Sequence, residues 1–441
     1  MKILTLGLAA TALAAAASDW QQFRGPAGSG VAETAAPPVQ WDASKILWKA
    51  PLPGLAVSSP IVSGDRVYVT TAISGDPKQG LRIGLYGDVE PVNDSTPHVW
   101  KVMAFDRQSG QLAWEQTAAQ GVPKTKRHPK SSQASCTPVT DGTVVIAYFG
   151  SEGLYAYSRD GKLLWKKDLG KQDAGWFFDP DFEWGAASSP IIHKDSVIVQ
   201  ADRQQNSFIA AFALSDGREL WRTKRDEIPT WGTPTLVPAH DGKAAELVAN
   251  GTKAIRGYNP DTGQELWTLS PNSEVVCTTP VFGHGLIFVT AGYPPVRPVY
   301  AVKQGARGKL DLAQGQSSSE AIAWSNNTGG VYLPSPLLYG DHLYTLGNNG
   351  VLTVYEARTG KRLYQQRVGA GGSFTAALVA AAGRVYATSE DGEIYAVKAG
   401  PQYELLGKSS LGEKILATPA FSGELIFVRG DQHLFAIGAG K

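Results

Sequence analysis

Residues 232–267, GTPTLVPAHDGKAAELVANGTKAIRGYNPDTGQELW, hold one complete structural unit. A Thr-Pro opening leads into a short apolar run, a polar turn, the run ELVAN, a second turn, the run IRGY, and a Gly turn before ELW. Four stretches of strand character joined by short turns spell a four-stranded antiparallel meander. The unit recurs along the chain. It opens as SSPIV (58–62) and closes at Trp114, as CTPVT (136–140) closing at Trp165, and as SSPII (188–192) closing at Trp221. Further copies run from TTPVF (278–282) to Trp324, from PSPLL (334–338) to Tyr364 and from TAALV (375–379) to Leu406. The last, from ATPAF (417–421), stops after three strands, and KILWKAPL (45–52) supplies the missing fourth, with Trp48 where other copies place theirs.

No single copy can bury a core alone, so units of about 40–60 residues must stack radially, as propeller blades do. Seven whole copies and one split copy predict an all-β, eight-bladed β-propeller. An N-terminal strand joining the last blade closes it and removes two free sheet edges. The six recurrent tryptophans (48, 114, 165, 221, 267, 324) are expected to pack between blades, each N–H reaching a backbone carbonyl.

Composition agrees with this reading. Among 441 residues, 49 Gly and 27 Pro supply turns, and 12 Trp and 16 Tyr supply large anchors. Charged residues make up 18% and the formal net charge is +1, which removes the basic surplus a nucleic-acid partner requires. Two cysteines, Cys136 and Cys277, exclude a disulfide scaffold. They open non-adjacent blades, too far apart to bridge, and are expected to be buried free thiols. Residues 1–17, MKILTLGLAATALAAAA, have the charged start, apolar run and small-residue end of a cleaved export signal. The expected organisation is a signal at 1–17, an extension at 18–44 and one propeller domain at 45–441. The mature chain is expected to be monomeric, periplasmic or secreted, with no transmembrane segment.

The motif NPDTGQELW (259–267) resembles the quinoprotein, or PQQ, repeat of bacterial propellers, and the resemblance covers nearly all the chain after residue 40. PQQ-dependent alcohol and sugar dehydrogenases share that repeat with BamB of outer-membrane barrel assembly, which binds no cofactor. The opening WQQFRGPAGSGVAE (20–33) resembles secreted PQQ-binding-like repeat proteins. The repeat specifies fold and leaves function to the loops.

Loops that precede each Ser/Thr-x-Pro converge on one face. Two are chemically pronounced: KTKRHPK (124–130), with Lys126, Arg127 and His128, and WFFDPDFEW (176–184), with Trp176, Asp179, Asp181, Glu183 and Trp184. Aromatic groups beside charge predict a recognition patch for a protein, peptide or glycan. The insertion at about 73–98 is expected to form a lid over, or a rim around, the channel mouth. Asp-rich fragments such as NPDTG and SEDG (389–392) lack the spaced ligands of a calcium loop and read as hairpin turns. The histidines show no metal-binding spacing.

Two functions follow. The first is an exported, non-catalytic scaffold with no cofactor. The alternative, implied by the resemblance, is a PQQ-dependent dehydrogenase with calcium. It would use Asp202 and Asn250 as metal ligands, Trp231 as the stacking floor, Arg297 facing the quinone and Glu274 where the family places an aspartate base. Compact blades and the lack of an adjacent cysteine pair favour the scaffold.

Overall fold

The computed structural model describes residues 19–84, 86–87 and 89–438. The proposed export signal lies outside the described residues. Eight antiparallel sheets form the eight blades of a propeller. Blade 1 comprises Ile61–Ser63, Arg66–Ser74, His98–Asp106 and Leu112–Gly121. Blades 2 to 7 follow at 139–167, 191–224, 235–269, 281–326, 337–367 and 379–410. Blade 8 combines Ala420–Ser422, Leu425–Arg429 and His433–Ile437 with Ile46–Pro51, which pairs antiparallel to His433–Ile437. The predicted closure is therefore present.

Position in the blade governs each strand's burial. The second and third strands are sandwiched between neighbouring blades, and in blade 3 Ser196–Ala201 and Phe208–Ala213 are buried throughout. Fourth strands lie at the rim and alternate, as in Ile46–Pro51, where Trp48 and Ala50 point inward between exposed neighbours. Five of the six tryptophans cover a glycine of the next blade, whereas Trp267 stands against Gly257 of its own blade. A Cβ at Gly110 would lie 2.5 Å from Trp48, and one at Gly161 2.7 Å from Trp114. Gly217, Gly263 and Gly360 stand likewise against Trp165, Trp221 and Trp324, all with positive φ. The turn needs glycine for its backbone and the tryptophan needs it for room.

The indole N–H of Trp48, Trp114, Trp165 and Trp324 donates to the carbonyls of Arg107, Arg159, Leu214 and Ala357, each on the following blade. Trp267 departs from the expectation and donates instead to the Glu246 carboxylate of its own blade, at 3.0 Å. The physical reason is an insertion between the last two strands of blade 5. Its Gly308–Leu310 segment pairs parallel to the edge of blade 4, and Arg307 pairs with Glu246 at 2.9 Å.

The Ser/Thr-x-Pro openings do more than start strands. The backbone N–H of Ser59 donates to the Thr137 hydroxyl on the next blade; Thr137 donates to Ser189, Ser189 to Thr233, Thr233 to Thr279, and Thr279 to Ser335. Ala377 donates to Thr418, and Thr418 returns to Ser59. These bonds form a polar girdle around the channel. It is interrupted between blades 6 and 7, where Ala377 has no hydroxyl to accept from Ser335.

Candidate functional site

The girdle rings a cavity of about 210 Å³ on the channel axis. Ser59, Thr137, Ser189, Thr233, Thr279, Ser335, Ala377 and Thr418 form its waist. Both ends are covered by the chain itself.

Below, a strap crosses the hairpin face. Trp20 pairs with Val62 of blade 1, and Gln21 accepts from Thr140 of blade 2. Phe23 lines the cavity, and Arg24 donates 2.6 Å to the Pro336 carbonyl of blade 6. Val31–Ala32 pairs parallel to Ala380–Ala381 of blade 7, and Ala36 donates to Gly423 of blade 8. Arg24 is fully buried with no carboxylate partner, and desolvation lowers its pKa to about 9.

Above, the predicted insertion spans the mouth. Gly84 N–H donates 2.8 Å to Glu390, and the Tyr86 hydroxyl donates 2.9 Å to the Asn348 carbonyl. Trp184 donates to Val89, Val92 pairs with Arg127, and Lys414 reaches Leu81. The segment thus touches loops of blades 2, 3, 6, 7 and 8. Its chief anchor is Glu390, which is fully buried and also accepts from Lys130 at 2.5 Å and Thr375 at 2.6 Å. The Lys130 ammonium lies 4.3 Å from the centre of the Tyr86 ring. Burial pulls the Lys130 pKa down while Glu390 holds it up. Glu390 belongs to the SEDG fragment, which the sequence presented as a plain turn. Its partner Lys130 is distant in the chain, and only ring closure brings them together.

The loops at 124–130 and 176–184 are brought together on this face. Lys126 donates through its backbone N–H to Glu183 (3.1 Å) and through its ammonium to the Asp181 carbonyl (2.9 Å). His128 N–H donates to the Trp184 carbonyl, and their rings meet edge-on at 5.6 Å. Lys171 pairs with Glu183 at 2.6 Å. The side chains do not share one environment, however. Trp184 and Arg127 are buried, Arg127 holding Gln79 of the insertion and the Ser131 carbonyl. His128 lines the cavity, and burial followed by the Lys130 and Arg127 charges lowers its pKa to about 4. Its Nδ1 accepts from the Lys130 N–H, so that nitrogen carries no proton. What remains outward is an aromatic knob. Phe178 is 63% exposed, its ring 4.2 Å from Phe177 and 5.4 Å from Trp176, with Asp179 and Asp181 beside it.

The residues assigned to a quinone site separate. Trp231 lines the cavity, 5.8 Å from Trp184, and donates to the Gly185 carbonyl. Asp202 is buried in a fork from Arg225 (2.7 and 3.0 Å), with Gln200 and Thr230 as further donors. The Asn250 amide donates to Thr278 and Thr290, and its oxygen accepts from Asn272. With their oxygens engaged inside the protein, Asp202 and Asn250 do not fit the role of calcium ligands, which need free oxygens on a shared cavity. Glu274 is half-buried and Arg297 is exposed on a blade 5 loop; neither lines the cavity. The residues present do not form a Ca–PQQ site. Among the described residues no group of three or more His, Cys, Asp or Glu is placed to hold a metal ion.

Both cysteines are free. Cys136 is buried as expected, but Cys277 is only partly so because it borders the cavity. Burial pushes both thiols up to about 12, leaving them protonated at neutral pH.

Comparison with known proteins agrees with the architecture. Residues 100–345, 254–401 and 348–440 match the family described as outer membrane protein assembly factor BamB. The chain belongs to this family of PQQ-repeat propellers. BamB of Shewanella oneidensis is 24% identical over 276 residues, covering 59% of this chain and 62% of that protein. The chain thus spans less than two thirds of that relative's length. The structure of BamB from Moraxella catarrhalis superposes with a TM-score of 0.53 at 12% identity, over 83% of this chain and 98% of that one. Quinohemoprotein alcohol dehydrogenase from Comamonas testosteroni gives a TM-score of 0.56 at 12% identity, over 96% and 81%. At such identities the two structures share the fold.

Proposed function

We propose that this protein is an exported, non-catalytic scaffold that holds a protein or peptide partner on the face bearing the 124–130 and 176–184 loops. Family membership supports a binding propeller, and the relatives named as assembly factors support a periplasmic site of action near the outer membrane. One observation carries the reading: Phe178 projects into solvent from a buttressed aromatic cluster beside acidic side chains. A partner that covers this ring gains its apolar area, and aromatic anchors with polar surroundings dominate protein interfaces. Among the described residues no helix is long and apolar enough to cross a membrane. No observation favours the dehydrogenase reading, since Asp202 and Asn250 are saturated by protein partners.

The test places a photo-cross-linking residue at Phe178 and, as control, at exposed Leu405 on the rim of blade 7. One dominant protein adduct from position 178, weakened at least tenfold by Asp179→Lys/Asp181→Lys, is expected. Equal labelling from both positions overturns the assignment of this face. Stoichiometric PQQ binding with Ca²⁺ and dye-linked activity in the mature chain overturns the non-catalytic reading itself.

A further inference from the structure

We infer that the channel cavity is a binding site for a small, neutral ring compound of one or two fused rings, carrying at most one polar substituent directed at Lys130. The inference is independent of the outer recognition face, because it concerns the interior of the ring.

Size is the first argument. At about 210 Å³ the cavity exceeds the roughly 150 Å³ at which an apolar void stays dry and takes up benzene. It has room for a bicyclic ring.

Lining is the second. Val57, Ala187, Val275, Leu333 and Leu416 present carbon, as do the methyl groups of the girdle threonines. Trp184, Trp231, Tyr86 and Tyr332 supply aromatic faces and edges, and Phe23 closes the base. Flat rings gain most from such walls, through offset and edge-on contacts. The girdle hydroxyls at the waist already accept from backbone N–H groups, so they offer a solute only their own O–H groups and suit a ring with one acceptor better than a strongly polar solute.

Charge is the third. The cavity's cation, Lys130, is neutralised by Glu390 at 2.5 Å, and His128 is held neutral by burial and by its two cationic neighbours. A polyanion would find no net opposing charge, so the site rejects a tricarboxylate quinone as strongly as it accepts an uncharged ring. One polar substituent is tolerated because the Lys130 ammonium has three donors and the Glu390 bond uses one.

Access is the fourth. The described parts of the insertion above the cavity are tied down largely by polar contacts to Glu390, Asn348 and Lys414, not by a packed core. Such a cover opens more readily than the blades it rests on.

The experiment uses the whole mature chain with indole and 2-naphthol as probes, by calorimetry and tryptophan fluorescence. Saturable one-site binding is expected, weakened at least tenfold by the cavity-filling variants Ala187→Phe and Val57→Phe. PQQ is expected not to displace the probe. Should a filling variant fail to fold, a Cys136→Ser chain with every cavity residue intact keeps the test open. There, modification of Cys277 by methyl methanethiosulfonate is expected to slow at least fivefold at saturating indole. Absence of saturable binding, binding unchanged by both filling variants, unprotected Cys277, or stoichiometric displacement by PQQ each overturns the inference.

Discussion

The two ends of the channel are closed by the same chain in different ways. The lower strap is built into the fold. Trp20, Ala32, Ala35 and Trp41 belong to the apolar core that joins blades 1, 7 and 8, and Val31–Ala32 adds a strand to blade 7. The upper segment contributes few core residues and is held by a buried carboxylate, one ammonium and isolated backbone contacts. Closure by apolar burial is permanent, whereas closure by a few polar ties is reversible. The lower end therefore serves stability, and the upper end is the one we propose for recognition.

Three changes test that contrast, beginning with the most damaging. Deleting residues 46–51 removes the outer strand of blade 8, uncovers the edge His433–Ile437 and strips Trp48 from Gly110. Loss of cooperative folding or aggregation is expected, since truncating a buried Trp alone costs about 3–5 kcal/mol. A monomeric deletion variant with an unchanged melting temperature would show that the ring does not depend on strand exchange. Trp20→Ala, a change within the strap, should cost about 3 kcal/mol in denaturant midpoint experiments. By contrast, Tyr86→Phe, which removes the hydroxyl ties to Asn348 and Glu390, should cost about 1 kcal/mol. Equal losses at the two sites would erase the distinction between the ends.

The smallest effect is conditional on pH. His128 is neutral in the folded chain, its pKa lowered to about 4 from an ordinary 6.5. Between those values the unfolded chain binds the proton more tightly, so stability falls as pH drops from 6.5 towards 4. His128→Asn keeps an acceptor for the Lys130 N–H and removes the titration. The stability gap between wild type and variant should shift by roughly 3 kcal/mol in the variant's favour between pH 7 and pH 4, read from urea unfolding. Parallel pH profiles would show that His128 is solvated and that the upper closure does not exclude water.

Most of the architecture was legible because it is repeated. Each Ser/Thr-x-Pro opening and each Gly–Trp pairing is written many times, so errors in one copy are corrected by the others. Even the split blade could be read, since Trp48 lacked partners on its own side of the sequence. The cavity was far less legible. Lys130 and Glu390 occur once each, separated by most of the ring, and a buried carboxylate in SEDG looks like any turn acid until its neighbours are known. Asp202 and Asn250 were selected by resemblance, yet their phase places them against Arg225, Thr278 and Asn272 instead of open space. The strap was missed for a related reason. WQQFRGPAGSGVAE has no strand periodicity, and its contacts are spread over most of the ring.

The gap in the girdle carries a consequence for time. Arg24 reaches Pro336 and Val31 pairs with Ala380, at the joint where Ala377 leaves Ser335 without an acceptor. Trp48 likewise needs Ala436 opposite it. These residues emerge before the blades they join and must wait more than 300 positions for their partners. Contacts so distant in sequence form slowly, because a long loop has to close before they yield any energy. Assembly of this propeller therefore ends with segments made before any blade, and a chain interrupted before blade 8 leaves Ile46–Pro51 without its partner strand.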